Sequence, residues 1–143
     1  MIVCIDTNVL LQAAKEGHPF SVIIAAWFRR RFLWAVSNEV LTEYEEVITQ
    51  RSGPQRWLQL SRVFDLAEAR GDLLTNTQPS FKFHVVADDP DDNKFTDCAI
   101  TAGADFVITE DKHFAPLISA GYKCQPITPK EFIERYISPV ATN

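Results

Sequence analysis

The sequence predicts an α/β fold, a three-layer α/β/α sandwich with a mainly parallel central sheet. Two observations support it. Short apolar runs alternate with amphipathic helical segments, in the order strand, helices, strand, helices, strand, helix, strand, helix, strand, helix. The 143 residues are enough for one domain with a real core and too few for two ordinary ones. We therefore expect residues 1–143 to form a single domain, with 138–143 as a frayed tail.

The first half of the chain predicts two strands and three helices. The largely β-branched run 2–5 indicates a buried strand, and the apolar run 32–36 a second one. Between them we expect two helices, the first ending near Gly17 and the second capped by Ser21. The segment 38–49 has an apolar stripe at helical spacing, which predicts a third helix.

The second half predicts three further strands separated by helices. Residues 55–70 form an amphipathic helix, followed by a loop at 72–80 and by the alternating segment 81–86, a half-exposed strand or extended segment. A helix follows Asp92, and we expect a short helical turn at 112–114 that Pro116 stops or kinks. The last elements are strands at 106–109 and 123–127 and a terminal helix that begins at Thr128.

Composition limits the partners. The chain has 14 Lys and Arg against 19 Asp and Glu, a net charge of −5, so a nucleic acid would have to meet a local basic patch or bound metal ions. Three widely separated cysteines indicate buried thiols in a reducing compartment. No signal peptide or membrane-spanning run is evident, so we expect a soluble cytoplasmic protein with no membrane partner.

Carboxylates follow two of the predicted strands. Asp6 comes directly after the run 2–5, and Asp111 comes shortly after the run 106–109. If these strands are parallel neighbours, their carboxyl ends meet at one edge of the sheet, where ligands bind in α/β folds. Two carboxylates that close together are unfavourable unless a cation bridges them or one takes a proton.

Further acids are expected to point at the same edge from helices. Glu43 and Glu45 lie on the two borders of the apolar stripe of the helix 38–49, and periodicity does not choose between them. Asp92 lies in the first turn of its helix, close to the buried stripe, whereas Asp97 points roughly opposite and is expected to be a surface or supporting acid. Carboxylates from four elements form an all-oxygen site, which suits Mg²⁺ or Mn²⁺ better than zinc.

Four motifs resemble those of the PIN-domain nucleases. They are Asp6-Thr7-Asn8-Val9-Leu10, Leu41-Thr42-Glu43-Tyr44, Asp92-Asn93-Lys94-Phe95 with Cys98-Ala99, and Ala104-Asp105-Phe106-Val107-Ile108-Thr109-Glu110-Asp111. They occur in the family's order over nearly the whole chain, and the length is typical of the single-domain bacterial members that act as VapC-like toxins.

The resemblance implies a PIN-like fold and a set of site residues. The catalytic metal ligands would be Asp6, Glu43, Asp92 and Asp111, which selects Glu43 over Glu45. Supporting residues would be Asn8 and Thr109, with Asp97 as a further acid of the site. Glu110 departs from the family pattern, which more often has Gly or Arg there, and an extra acid would either strengthen metal binding or repel phosphate.

The resemblance also implies an activity and partners. The activity is Mg²⁺- or Mn²⁺-dependent cleavage of RNA, often by a toxin that a small antitoxin neutralises by inserting into the active-site groove. Members are often homodimers, in which Arg29, Arg30, Arg31 or Lys94 would line a shared RNA groove. The three arginines are explained equally well by the negative end of their helix dipole.

Two alternatives compete with the nuclease hypothesis. A catalytically silent protein of the same fold would hold RNA or a partner protein without cutting. An aspartyl phosphotransferase or phosphatase would use Asp6 as its nucleophile, although such enzymes usually carry a second Asp where this chain has Asn8.

Overall fold

The centre of the molecule is an all-parallel sheet, as the sequence predicts. The computed structural model describes residues 1–138, and five strands form its sheet in the order β3-β2-β1-β4-β5. The strands are β1 (Ile2–Ile5), β2 (Leu33–Val36), β3 (Leu74–Asn76), β4 (Phe106–Ile108) and β5 (Gln125–Ile127). All of the predicted frayed tail except Ser138 lies outside the described residues.

Helices cover the sheet on both faces. The α-helices are α1 (Thr7–Ala13), α2 (Ser21–Phe28), α3 (Asn38–Ser52), α4 (Pro54–Arg70), α5 (Asn93–Thr101) and α6 (Pro129–Phe132). Two 3-10 helices span Pro90–Asp92 and Lys112–Ser119, and a π-helical turn spans Ile133–Ile137. Right-handed crossovers place α1 to α4 on one face and α5 on the other, where it packs across β1, β2 and β4.

Aromatic packing in the core ties α3 to the end of β1. Trp34 of β2 packs edge-on against Trp27, Tyr44 and Phe64, all of which are buried. The hydroxyl of Tyr44 donates a hydrogen bond to the backbone oxygen of Ile5, the last residue of β1. The helix that carries Glu43 is therefore fixed beside the strand that ends at Asp6.

The third strand does not lie where the sequence analysis put it. β3 is Leu74–Asn76, inside the segment predicted to be a loop, while 81–86 is irregular, with His84 in the left-handed region at φ 53°, and belongs to no strand. Backbone groups of that segment bond to side chains instead: Phe83 N donates to Asp97 Oδ1 at 3.0 Å, and Val86 N donates to Asn93 Oδ1 at 2.8 Å. β3 escaped prediction because three residues at a sheet edge form no apolar run.

The expected turn at 112–114 is part of a longer helix. Pro116 lies inside the 3-10 helix Lys112–Ser119, so the prediction that it could stop the turn beginning at Lys112 was wrong. The three cysteines are free and buried, as expected. Within residues 1–138, none of the helices has both the length and the apolarity needed to span a membrane.

Candidate active site

The site begins where the direction of the sheet connections reverses. β1 lies between β2 and β4, so the chain winds outward from β1 on both sides. Asp6 N donates to Ile108 O at 3.0 Å, and Thr109 N donates to Ile127 O at 2.9 Å, which brings the carboxyl ends of β1, β4 and β5 to one level. The crevice beyond such a reversal point is where open α/β sheets bind ligands.

Thr109 joins the two acids that follow these strands. Its hydroxyl donates to Asp6 Oδ2 at 2.8 Å and accepts a bond from Asp111 N at 2.9 Å. Asp6 is only 5% exposed. Burial, and to a smaller extent the negative charges of Glu43 and Asp111, raise the pKa of Asp6 to about 6, although the Thr109 bond opposes the rise.

Glu43 reaches the same edge from α3. Ser37 caps this helix by accepting a bond from Val40 N at 3.2 Å. Thr7 donates its hydroxyl to Glu43 Oε2, and Lys94 Nζ lies 3.2 Å from Glu43 Oε1. Glu45 is exposed. Of the two border acids, Glu43 is thus the one whose charge acts on Asp6.

Asp92 completes the cluster from the start of α5. Its Oδ2 atom is buried and has no hydrogen-bond partner among the described residues. Burial, followed by the negative charges of Asp6, Asp89 and Asp111, raises the pKa of Asp92 to about 8. A buried carboxylate oxygen without a donor, among several other acids, fits a divalent cation held by oxygen ligands.

Asp89 and His113, which had no predicted role, lie close to Asp92 and Asp111 in a group that does not include Asp6 or Glu43. Asp89, Asp92, Asp111 and His113 each offer a ligand atom within 4.8 Å of the others. His113 N donates to Asp111 Oδ1 at 2.9 Å, and its Nδ1 lies 3.3 Å from the same oxygen. The available signal was the position of His113 two residues after Asp111. The imidazole adds a nitrogen donor to what was expected to be an all-oxygen set.

Two of the predicted site residues make different contacts. Of the two roles expected for Asp97, a surface acid or a supporting one, the surface acid was wrong, because Asp97 is only 9% exposed. It accepts the bond from Phe83 N, so its contact is with the segment 81–86 instead of the acid cluster. Asn8 is exposed in the groove beside Asp6 and makes no hydrogen bond to an acid within residues 1–138. Thr7, its neighbour, makes the contact to Glu43.

The predicted RNA-contacting cations separate into two groups. Lys94 lies in the cluster, paired with Glu43. Arg29, Arg30 and Arg31 follow α2 and precede β2, which puts them at the amino end of the parallel strands, opposite to Asp6. There Arg30 pairs with Asp72, and Arg31 donates to the backbone oxygen of Tyr136 at 2.8 Å. These arginines cannot line the groove of their own chain.

A polar groove of about 600 Å³ adjoins the acids. Its walls are formed by Asp6, Asn8, Leu11, Gln12, Lys15, Arg51, Ser52, Glu110 and Asp111. Glu110 is exposed at the acidic end of this groove, next to Asp111.

An all-parallel α/β fold with carboxylates gathered at its reversal point defines a class of proteins that could hold a divalent metal ion there. A family model described as PIN domain matches residues 2–113, so the chain belongs to the PIN-domain family. Membership supports a nuclease that hydrolyses a nucleic-acid substrate, as the four motifs predicted. No curated protein and no solved structure matches the chain significantly.

Proposed function

We propose that the protein is a Mg²⁺- or Mn²⁺-dependent endoribonuclease. The observation that carries the proposal is the buried, unpartnered Oδ2 of Asp92 in a cluster with Asp6 and Asp111 at the end of the sheet. The proposed metal ligands are Asp6, Glu43, Asp92 and Asp111. Asp89 and His113 are further donors within reach.

Each neighbouring side chain has a definable task in this proposal. A divalent cation at such a site activates a water molecule and neutralises charge on the phosphodiester. Thr109 holds the Asp6 carboxylate in place, and Thr7 does the same for Glu43. Lys94 supplies a positive charge beside Glu43, where it can meet a phosphate of the substrate.

The toxin role belongs to the same proposal. Its support is the order of the four motifs in a chain of 143 residues. The partner would be a small antitoxin, and the active form a homodimer in the cytoplasm, where buried free cysteines stay reduced. Because Arg29 to Arg31 lie away from the acids of their own chain, they could serve RNA only across such a dimer. A short gene directly upstream would support the toxin role, and sedimentation analysis would test the dimer.

The test is RNA cleavage by the purified protein. We expect cutting of single-stranded RNA with Mn²⁺ or Mg²⁺, loss of cutting with EDTA, and loss in Asp6→Asn. Asp65→Asn is the matched control, because Asp65 is an exposed acid of α4 outside the groove. Activity that survives both EDTA and Asp6→Asn would contradict the proposal. Tight RNA binding without cutting would favour the silent binding protein. This is the second candidate because Glu43, one of the proposed metal ligands, is paired with Lys94.

A further inference from the structure

Two cations lie at the end of the groove farthest from the acids. We infer that Lys15 and Arg51 form a phosphate-binding subsite for the RNA strand beside the scissile bond. The inference rests on the proposed function and deepens it, because it states how the substrate is held. Neither residue was selected from the sequence, and both line the groove that Asp6 and Asp111 also line.

α1 leads from the acids towards Lys15. The helix begins directly after Asp6 and runs away from the acid cluster. Asn8, Leu11 and Gln12 line the groove at the i, i+3 and i+4 spacing of one helix face, and Lys15 lines it from the turn that follows the end of α1. At 1.5 Å per residue, the last residue of α1, Ala13, lies about 8 Å beyond Asn8, and Lys15 follows two residues later. With about 3.4 Å of axis per phosphate in a helical strand, this span covers at most about three nucleotides.

α3 packs against α1 and carries Arg51. It starts after β2, at the same edge of the sheet as Asp6, and Glu43 lies nearer to that start than Arg51 does. The turn after α1 and the last turn of α3 thus each contribute a cation at a distance from the acids. A single strand laid along the groove would have one phosphate near Asp6 and another near Lys15 and Arg51.

The positive charges of Lys15 and Arg51 are available to a ligand. Lys15 and Arg51 are exposed, and neither forms a salt bridge with any residue of 1–138. By contrast, Arg30 and Lys94 are each paired with a carboxylate. In a chain with a net charge of −5, two unpaired cations in the groove that the acids also line are the local basic patch that a nucleic acid needs.

Gln12 adds a polar contact between the two ends. Its Oε1 atom is buried, lies in a groove-lining side chain and has no hydrogen-bond donor among the described residues. The Gln12 side chain as a whole is half-buried, so its amide can meet a base amino group or a ribose 2′-hydroxyl once the oxygen turns towards the groove. Leu11 offers an apolar wall beside it. The groove therefore offers a bound strand a polar amide, an apolar wall and two cations.

The experiment is steady-state cleavage of a labelled single-stranded RNA by wild type, Lys15→Gln and Arg51→Gln at several salt concentrations. The matched control is Arg62→Gln, an exposed cation of α4 outside the groove. We expect KM to rise several-fold in each groove variant with kcat unchanged, because a phosphate contact away from the reacting bond binds substrate and transition state equally. The dependence of log(kcat/KM) on log[salt] should also become shallower by about 0.7 for each cation removed.

The outcomes separate the two proposals. If wild type cleaves RNA and the KM values and salt slopes of both groove variants match those of Arg62→Gln, the subsite is wrong and the nuclease stands. If wild type cuts no RNA in Mn²⁺ or Mg²⁺, the proposed function fails and the subsite with it. A general loss of folding would lower kcat as well, and thermal unfolding of each variant detects it.

Discussion

Replacing Asp6 with Asn should make the metal-free protein more stable while abolishing its activity. Asp6 is 5% exposed, and its pKa is raised from 3.8 to about 6, mainly by burial. A shift of about two units at 1.36 kcal/mol per unit corresponds to roughly 3 kcal/mol that the ionised carboxylate costs the folded state. The buried Asn amide lacks a new partner, which offsets about 1 kcal/mol, so the net gain is about 2 kcal/mol.

The gain should depend on pH in a defined direction. Because the pKa of Asp6 is raised on folding, its ionisation destabilises wild type as the pH rises from about 4 to about 6. Asn does not titrate. The advantage of Asp6→Asn should therefore be absent near pH 4, grow up to about pH 6, and stay constant above it.

Metal ions should reverse the comparison. A cation at 100 times its Kd stabilises a protein that binds it by about 2.7 kcal/mol. Wild type should gain this stability in Mn²⁺, whereas Asp6→Asn, which lacks one proposed ligand, should gain far less.

Urea unfolding followed by tryptophan fluorescence, in EDTA and in Mn²⁺ across pH 4 to 8, measures all of these effects. Asp65→Asn is the control, since it removes an exposed acid and should change stability little at any pH. The reasoning is refuted if Asp6→Asn is less stable than wild type at pH 8 in EDTA, or if Mn²⁺ stabilises both proteins equally.

Three further predictions follow from the same contacts. Thr109→Val removes the donor to Asp6 Oδ2 and should weaken Mn²⁺ binding about 10- to 100-fold by calorimetry; unchanged affinity would deny the positioning role. Mn²⁺ affinity should rise by up to tenfold per pH unit between pH 6 and 8, because Asp92 must lose its proton to bind the metal. Calorimetry in two buffers would measure the proton release, and an affinity that does not change with pH would contradict this prediction. Tyr44→Phe removes the buried bond to Ile5 O and should cost about 1 to 2 kcal/mol in urea unfolding, against no change if that bond contributes nothing.

The sheet and its acidic edge were predictable because they depend on local patterns. The apolar runs that end at Asp6 and before Asp111 identify buried strands, and parallel strands must bring their carboxyl ends together. Helical periodicity narrowed the acids of α3 to two, and only Glu43 turned out to face Asp6. The position of Arg29 to Arg31 was also available from sequence, since residues directly before a parallel strand lie at its amino end.

Other features depend on contacts that no local pattern encodes. The 3-10 turn that ends at Asp92 brings Asp89 towards Asp111, and the bond that the backbone N of His113 donates to the Asp111 carboxylate sets the imidazole beside it. β3 pairs with β2 through backbone groups, and its three residues form no apolar pattern that predicts a strand. The groove cations come from α3 and from the turn after α1, which meet only in the folded chain. Long-range packing determines each of these features, so sequence periodicity could not predict them.

The most direct test of the metal site is a crystal structure of the protein grown with Mn²⁺, measured at the manganese absorption edge. We expect an anomalous difference peak within about 2.5 Å of carboxylate oxygens of Asp6, Asp92 and Asp111. No peak at this edge of the sheet at millimolar Mn²⁺, or a peak only on another face of the molecule, would contradict the account.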